Sequence, residues 1–224
     1  MPHAMLSHYY RLLQEDAAEF LQKVAFDPDT APRLSSSFGF AVTETYECCA
    51  CRSHAARITD VHHTLMLPVT TRGNPSLPFG DVLQALNYRF QVEERVQWAE
   101  TCAHSAHQDN IFLRTETFHS TPDVLCVVLM RWTQLAGTLA MHAHRVDPTG
   151  DLLLRDQVYC FKSAVVHLGA SPDSGHYIAL AKHGEHWHLY DDAVRSRALD
   201  AQISTSTMYN GLPMKTYILF YERQ

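Results

Sequence analysis

Apolar residues first recur at helical spacing over Ala17, Phe20, Leu21 and Val24, one face of an amphipathic helix. The stretch Asp16-Ala17-Ala18-Glu19 supplies its start: the Asp16 carboxylate can take a free backbone N–H, and Glu19, three residues on, can reach back. Asp27-Pro28 stops it, because proline disfavours helix in the residue before it. The Ser- and Pro-rich stretch from Thr30 to Ser37 reads as a loop. The period then shortens. Val42, Thr43, Thr45 and Tyr46 suit a strand, and Ile58, Val61, Leu65 and Leu67 continue in short extended pieces. A second helix is expected from Pro78 to Leu86. Beyond Asp123 strands dominate, over residues 124–131, 159–167, 176–181, 187–190 and 216–221. Helix first and sheet later, with no internal repeat, is the order of an α+β protein.

Composition narrows the class. With 224 residues, 46% of them apolar, one compact unit can bury a core of useful size. No window approaches the roughly 20 consecutive apolar residues of a membrane helix. Met1-Pro2-His3-Ala4-Met5 lacks the basic-then-apolar pattern of a secretory signal, so an intracellular location, cytoplasmic or nuclear, is expected. A net charge of -6 with no run of Lys or Arg argues against nucleic-acid binding and favours a neutral or cationic protein surface as partner. Cys48, Cys49 and Cys51 crowd together, which suits a metal cluster or reduced thiols better than a disulfide framework.

The segment from Gly175 to Asp192 reads as a β-hairpin. With His183 and Gly184 at the centre of the turn, Lys182 pairs with Glu185 and His176 falls opposite Asp191. Directly opposed residues hold their Cβ atoms about 5 Å apart, close enough for a carboxylate to accept from an imidazole N–H. A histidine held by an acid is two thirds of the triad used by Cys and Ser hydrolases. A one-residue slip would make Asp192 the neighbour instead. On spacing alone, such a pair is more often ordinary exposed polar surface.

Several stretches together narrow the choice. Tyr159 to Gly169, Gly175-His176-Tyr177, Trp187 to Asp192 and Tyr217 to Arg223 resemble, in order and spacing, the histidine box of ubiquitin-specific proteases. Gln14-Glu15-Asp16-Ala17-Ala18-Glu19-Phe20-Leu21 is similar to that family's Gln-Asp-Ala and Glu-Phe-Leu box, with Glu15 and Ala18 departing from the usual Gln and His. Phe38-Gly39, Cys48-x-x-Cys51 and residues 122–132 fall in the same sequence. The resemblance covers roughly residues 9 to 223.

The resemblance implies a papain-like α+β fold over residues 1–224: a partial helical thumb (1–37), β fingers (38–112) and an antiparallel β palm (113–224). It implies His176 as general base, Asp191 as its orienter and Asp192 as a neighbour. The implied partner is ubiquitin or ubiquitinated proteins, and the implied reaction is thiol-dependent hydrolysis after ubiquitin's C-terminal glycine, with no cofactor needed for catalysis. It also places Gly169 to Ser174 as a mobile loop beside the channel for ubiquitin's tail.

The family's nucleophilic cysteine lies upstream of the Gln-Asp-Ala box, and none of the 13 residues before Gln14 is Cys. The chain alone is therefore expected to bind ubiquitin without cleaving it, either as a pseudoenzyme or as part of an active protease. Cys126 and Cys160 sit in apolar strand patterns and are expected as buried small hydrophobes. Family fingers close on Zn²⁺ through two Cys-x-x-Cys pairs. Cys48 and Cys51 form the first, while Cys102 faces Ser105 in the second, so that His104 or His107 completes a Cys₃His set; Cys49 offers an alternative thiolate. The competing expectation is a degraded finger with reduced thiols.

Overall fold

A computed structural model describes residues 16–27, 29, 31–71, 74–97, 111–135, 138–148, 150–171, 174–198 and 208–224. Asp16 starts the first helix as its side chain predicts: Oδ1 accepts from the N–H groups of Ala18 at 2.8 Å and Glu19 at 3.1 Å. Glu19 does not reach back; its carboxylate pairs with Lys23 one turn on, the favoured (i, i+4) order. Helix α1 (Ala17–Phe20) widens into a π-helical turn over Leu21–Ala25. Its buried Ala18, with Phe26 beyond it, packs on Cys126, Val128, Tyr217 and Ile218 of the main sheet.

The expected loop is largely a helix, α2 (Pro32–Phe38). Pro32 occupies the first turn, where its missing N–H has no partner to lose. The Ser36 and Ser37 hydroxyls donate back to the Arg33 carbonyl at 2.9 and 3.1 Å, so these serines are spent inside the helix. Helix α3 (Val82–Gln91) begins later than expected, because Asp81 is its cap, accepting from Gln84 N–H at 2.8 Å, while Pro78 closes strand β5 (Asn74–Pro78).

Two sheets carry the architecture. The smaller joins β1 (Ala41–Cys48), β2 (His54–Ile58), β6 (Glu94–Gln97) and β7 (Ile111–Ser120) in the order β2-β1-β7-β6. It runs on to Ser120, past the expected finger limit at 112. One face is ionic. Glu44 opposes both Arg57 and Glu116 across the strands, and Arg114 bridges the two carboxylates while also reaching Glu94 at 3.2 Å. Tyr46 donates to Glu44 at 2.9 Å and Arg89 to Glu116 at 3.1 Å. Burial pushes the Glu44 carboxyl up, but hydrogen bonds from Arg114, Arg57 and Tyr46 outweigh it and bring the pKa to about 2.

Among the described residues the larger sheet has nine strands, two of which, β11 (Asp151–Leu154) and β16 (Met208–Tyr209), pair off its spine. Its spine runs β15 (Val194–Ala198), β14 (His186–Asp191), β13 (Ser174–His183), β12 (Gln157–Ser171), β17 (Leu212–Arg223), β8 (Val124–Met130) and β3 (Leu65–Pro68). Every pairing along it is antiparallel except β3 with β8, so residues 65–68, expected in the fingers, pair within the larger sheet. The α1 region covers one face through Cys126, Val128 and Ile218; the other buries Leu125, Val127, Leu129, Leu219 and Tyr221. The expected loop at 169–174 is mostly strand: β12 extends to Ser171 and pairs it with Ser174.

Candidate active site

Strands β13 and β14 pair Ala179 with Tyr190 and His183 with His186, so the turn is Gly184-Glu185, with Gly184 at φ +57°. The turn lies one residue later than expected and the register is shifted by two. His176 pairs with Leu168 of β12, and Asp191 is its diagonal neighbour on the same face of the sheet. The imidazole crosses that diagonal: His176 Nε2 lies 2.5 Å from Asp191 Oδ1.

Asp191 is held from a second side. Tyr209, which sequence spacing did not single out, donates its hydroxyl to Oδ2 at 3.0 Å. The hydrogen bond with His176, joined by that from Tyr209, keeps the Asp191 carboxyl below its ordinary range. Asp192 sits in the following turn at φ +50° and is exposed. One ligand atom each of His176, Asp191 and Asp192 lies within 4.8 Å of the others. Asp192 makes no hydrogen bond to the imidazole, which is held by Asp191.

This geometry divides the labour of the ring. With Nε2–H donating to an ionised Asp191, the lone pair rests on Nδ1, which is free to take a proton from a neighbouring thiol or water. The carboxylate fixes the tautomer and favours the imidazolium that would follow. The preceding residue, Gly175 (φ +152°), cannot carry a side chain: a Cβ would stand 2.3 Å from the Leu168 carbonyl oxygen and 2.6 Å from His167 Nε2.

The floor beside it is aromatic. His167 is fully buried, with Trp132 and Tyr177 edge-on at 5.6 and 5.1 Å; burial, foremost, lowers its pKa and favours the uncharged ring. Tyr217 stacks on Tyr177 at 6.3 Å and donates its hydroxyl to Asp16 Oδ2 at 2.7 Å. Asp16 was legible as a cap but not as the anchor of the thumb on the palm. Burial first, then Asp16, raises the Tyr177 hydroxyl to about 12.

No described cysteine hydrogen-bonds to His176. Cys126 lies fully buried in β8, and burial pushes its thiol far above the ordinary range. Cys160, expected to be buried, is instead partly exposed, and its thiol is raised first by its hydrogen bond with Asp151. Of the expected zinc ligands, Cys102, His104 and the alternative His107 lie outside the described residues. Cys48 is buried against Tyr46 and Phe112, and the Cys51 thiol contacts Ser53 Oγ at 3.1 Å. Strands β6 and β7 last pair at Gln97 and Ile111, and Cys49 N–H donates to the Ile111 carbonyl. Cys48 and Cys51 therefore lie at the end of the smaller sheet where Gln97 and Ile111 make the last β6–β7 pair.

A palm sheet bearing an Asp-oriented histidine, a helical thumb packed on one face and a separate finger sheet define the ubiquitin-specific protease class. Comparison with known proteins agrees. The model of the ubiquitin carboxyl-terminal hydrolase family matches residues 5–221, and the chain belongs to that family. It is 34% identical over 114 residues to ubiquitin carboxyl-terminal hydrolase 4 of Arabidopsis thaliana, covering 45% of this chain and 31% of that protein. It is 31% identical over 103 residues to ubiquitin carboxyl-terminal hydrolase 12 of Salmo salar, covering 42% and 27%. Among solved structures, the SAGA DUB module of Ubp8, Sgf11, Sus1 and Sgf73 bound to monoubiquitin superposes with a TM-score of 0.75 at 17% identity, covering 99% of this chain and 51% of that one. The same module bound to ubiquitin aldehyde gives 0.73, covering 95% and 50%. The chain thus spans less than a third of these curated relatives and about half of the solved chain. No helix among the described residues is long and apolar enough to cross a membrane.

Proposed function

We propose that the chain forms the palm, fingers and part of the thumb of a deubiquitinating site: it binds ubiquitin, and His176, oriented by Asp191, is the general base for hydrolysis after ubiquitin's C-terminal glycine. The observation that carries this is the 2.5 Å contact of Nε2 with Asp191, which leaves Nδ1 for the nucleophile. Thumb, fingers and palm are assigned to residues 1–37, 38–112 and 113–224, with residues 65–68 lent to the palm and β7 to the fingers. Asp192 borders the pair without touching the ring. Structural Zn²⁺ held by Cys48, Cys51, Cys102 and His104 closes the fingers, and the protein acts inside the cell, where its proposed substrate resides.

A second reading is a ubiquitin-binding pseudoenzyme or scaffold, favoured by the lack of a hydrogen bond from any described cysteine to His176. Both readings have these 224 residues binding without turnover. Titrating the purified chain with ubiquitin in a calorimeter, beside a fluorogenic ubiquitin substrate, tests them. Binding without turnover is expected. Turnover abolished by His176→Ala would assign a cysteine of this chain as nucleophile, and no binding would overturn the ubiquitin reading. Adding a polypeptide that carries the family's cysteine box separates the two: restored turnover favours the protease, its absence the pseudoenzyme. Metal analysis of the same sample checks zinc.

A further inference from the structure

Strand β15 ends the spine of the larger sheet, and among the described residues only β14 pairs with it. The two strands are joined by the two-residue turn Asp192-Ala193, with Asp191 and Val194 as the closing pair. Such a pair exchanges both of its backbone hydrogen bonds, and the pattern then alternates. Tyr190–Arg195 and His188–Arg197 are therefore the widely spaced pairs, so the N–H and C=O groups of Arg195 and Arg197 point outward, to the open edge.

The side chains of the same two residues share one face with the residues they oppose. The register puts Arg195 beside Tyr190, Arg197 beside His188, and His186 opposite His183. Contacts hold that face together. The Arg195 guanidinium lies 5.7 Å from the centre of the Tyr190 ring, Arg197 donates to His186 Nδ1 at 2.8 Å, and the Tyr190 hydroxyl is 2.9 Å from His183 Nε2. Both arginines are exposed, and neither has a carboxylate partner among the described residues. Asp191 pairs with Val194 and so falls on the opposite face. Burial first, then Arg195, His183, His186 and Arg197, hold the His188 imidazole below its ordinary range, the mark of a locally positive field. On a chain of net charge -6, this is a concentration of one sign.

We infer that the outer edge of β15 takes up an extended acidic peptide as a further strand, with carboxylates at every second position facing Arg195 and Arg197. Backbone hydrogen bonds at these two residues supply affinity, and the pair of cations supplies selection. The alternation follows from the pleat, since only residues two apart present their side chains to one face. The same charges turn away the β15 edge of a second copy, the usual hazard of an open strand. The surface does not include His176 and is independent of the ubiquitin reading.

The test is fluorescence anisotropy of a labelled peptide of alternating glutamate and threonine, titrated with the full chain, beside amide hydrogen exchange of the complex. Binding is expected, with exchange slowed at Arg195 and Arg197 and unchanged at Ser196, whose N–H already serves Leu189. Arg197→Glu turns attraction into repulsion at an exposed pair and should weaken binding about tenfold. A backbone N-methylated peptide keeps the charges, loses the donors and should not bind, a readout that needs no variant protein. No binding at about 1 mM peptide, undiminished affinity in Arg197→Glu or for the methylated peptide, or binding without slowed exchange at both arginines would each overturn the assignment. An oligothymidylate that binds as tightly as the peptide would overturn it too, by showing a surface for polyanions in general.

Discussion

Replacing Gly175 by alanine tests whether the strand that carries His176 is held by close packing of its backbone. The new Cβ would stand 2.3 Å from the Leu168 carbonyl oxygen and 2.6 Å from His167 Nε2, at a φ of +152° that L side chains rarely adopt. Neither neighbour can yield cheaply. The Leu168 carbonyl belongs to the residue that pairs with His176, and the His167 ring is fully buried between Trp132 and Tyr177. The backbone conformation costs about 1–3 kcal/mol, and overpacking adds about 1–3 kcal/mol. The sum, about 4 kcal/mol, is a large share of the roughly 5–15 kcal/mol that holds a typical domain. Gly184→Ala is the matched control: φ is +57° but nothing lies within 4 Å, so about 1 kcal/mol is expected. Urea unfolding measures both, and the imidazole proton resonance of His176 reports whether the contact with Asp191 survives. Gly175→Ala as stable as Gly184→Ala, with that resonance unchanged, would refute the reasoning.

The finger ladder gives a second test. Arg114→Met leaves Glu44 and Glu116 opposed and buried without their shared cation, and about 3 kcal/mol of stability should be lost in urea unfolding. Glu44 also sets an acid limit. Its folded pKa of about 2 is depressed, so its contribution is full above the unfolded value of about 4.3 and is lost as pH falls through 2. Melting points measured between pH 5 and 2 should drop more steeply in the unaltered protein than in Glu44→Gln. Tyr209→Phe removes a donor from Asp191 and should raise its carboxyl pKa in a ¹³C titration; an unchanged value would show that Tyr209 is a bystander. Under native conditions a thiol reagent should modify exposed Cys49 and spare buried Cys126 until urea is added.

The strands at 124–130, 159–167 and 176–181 were legible because aliphatic and aromatic residues dominate them. Strand β7 was not. Its inward positions include Arg114 and Glu116, so the face that meets its neighbours is charged and the usual alternation is hidden. Helix α2 was concealed by Pro32 and three serines, residues that read as loop unless a first-turn proline and hydroxyl back-bonding are considered together. The His176–Asp191 pair was found through family resemblance and a hairpin register two residues out. It survived because same-face diagonal neighbours are still within reach of an imidazole. Tyr209 and Tyr217 could not be placed from spacing, since each meets its acid only after the sheet has assembled.

The two oxygens of Asp16 serve different ends of the chain: one starts α1, and the other accepts from Tyr217, 201 positions later. A helix this short does not persist alone in water, so it depends on a strand that reaches it late. At roughly 5–20 residues per second of synthesis, that delay is on the order of 10–40 seconds. For that time Ala17, Leu21 and Phe26 lack the surface that later covers them. The thumb segment is thus open to chaperone capture until the Tyr217 strand has been made, and its docking marks completion of the palm.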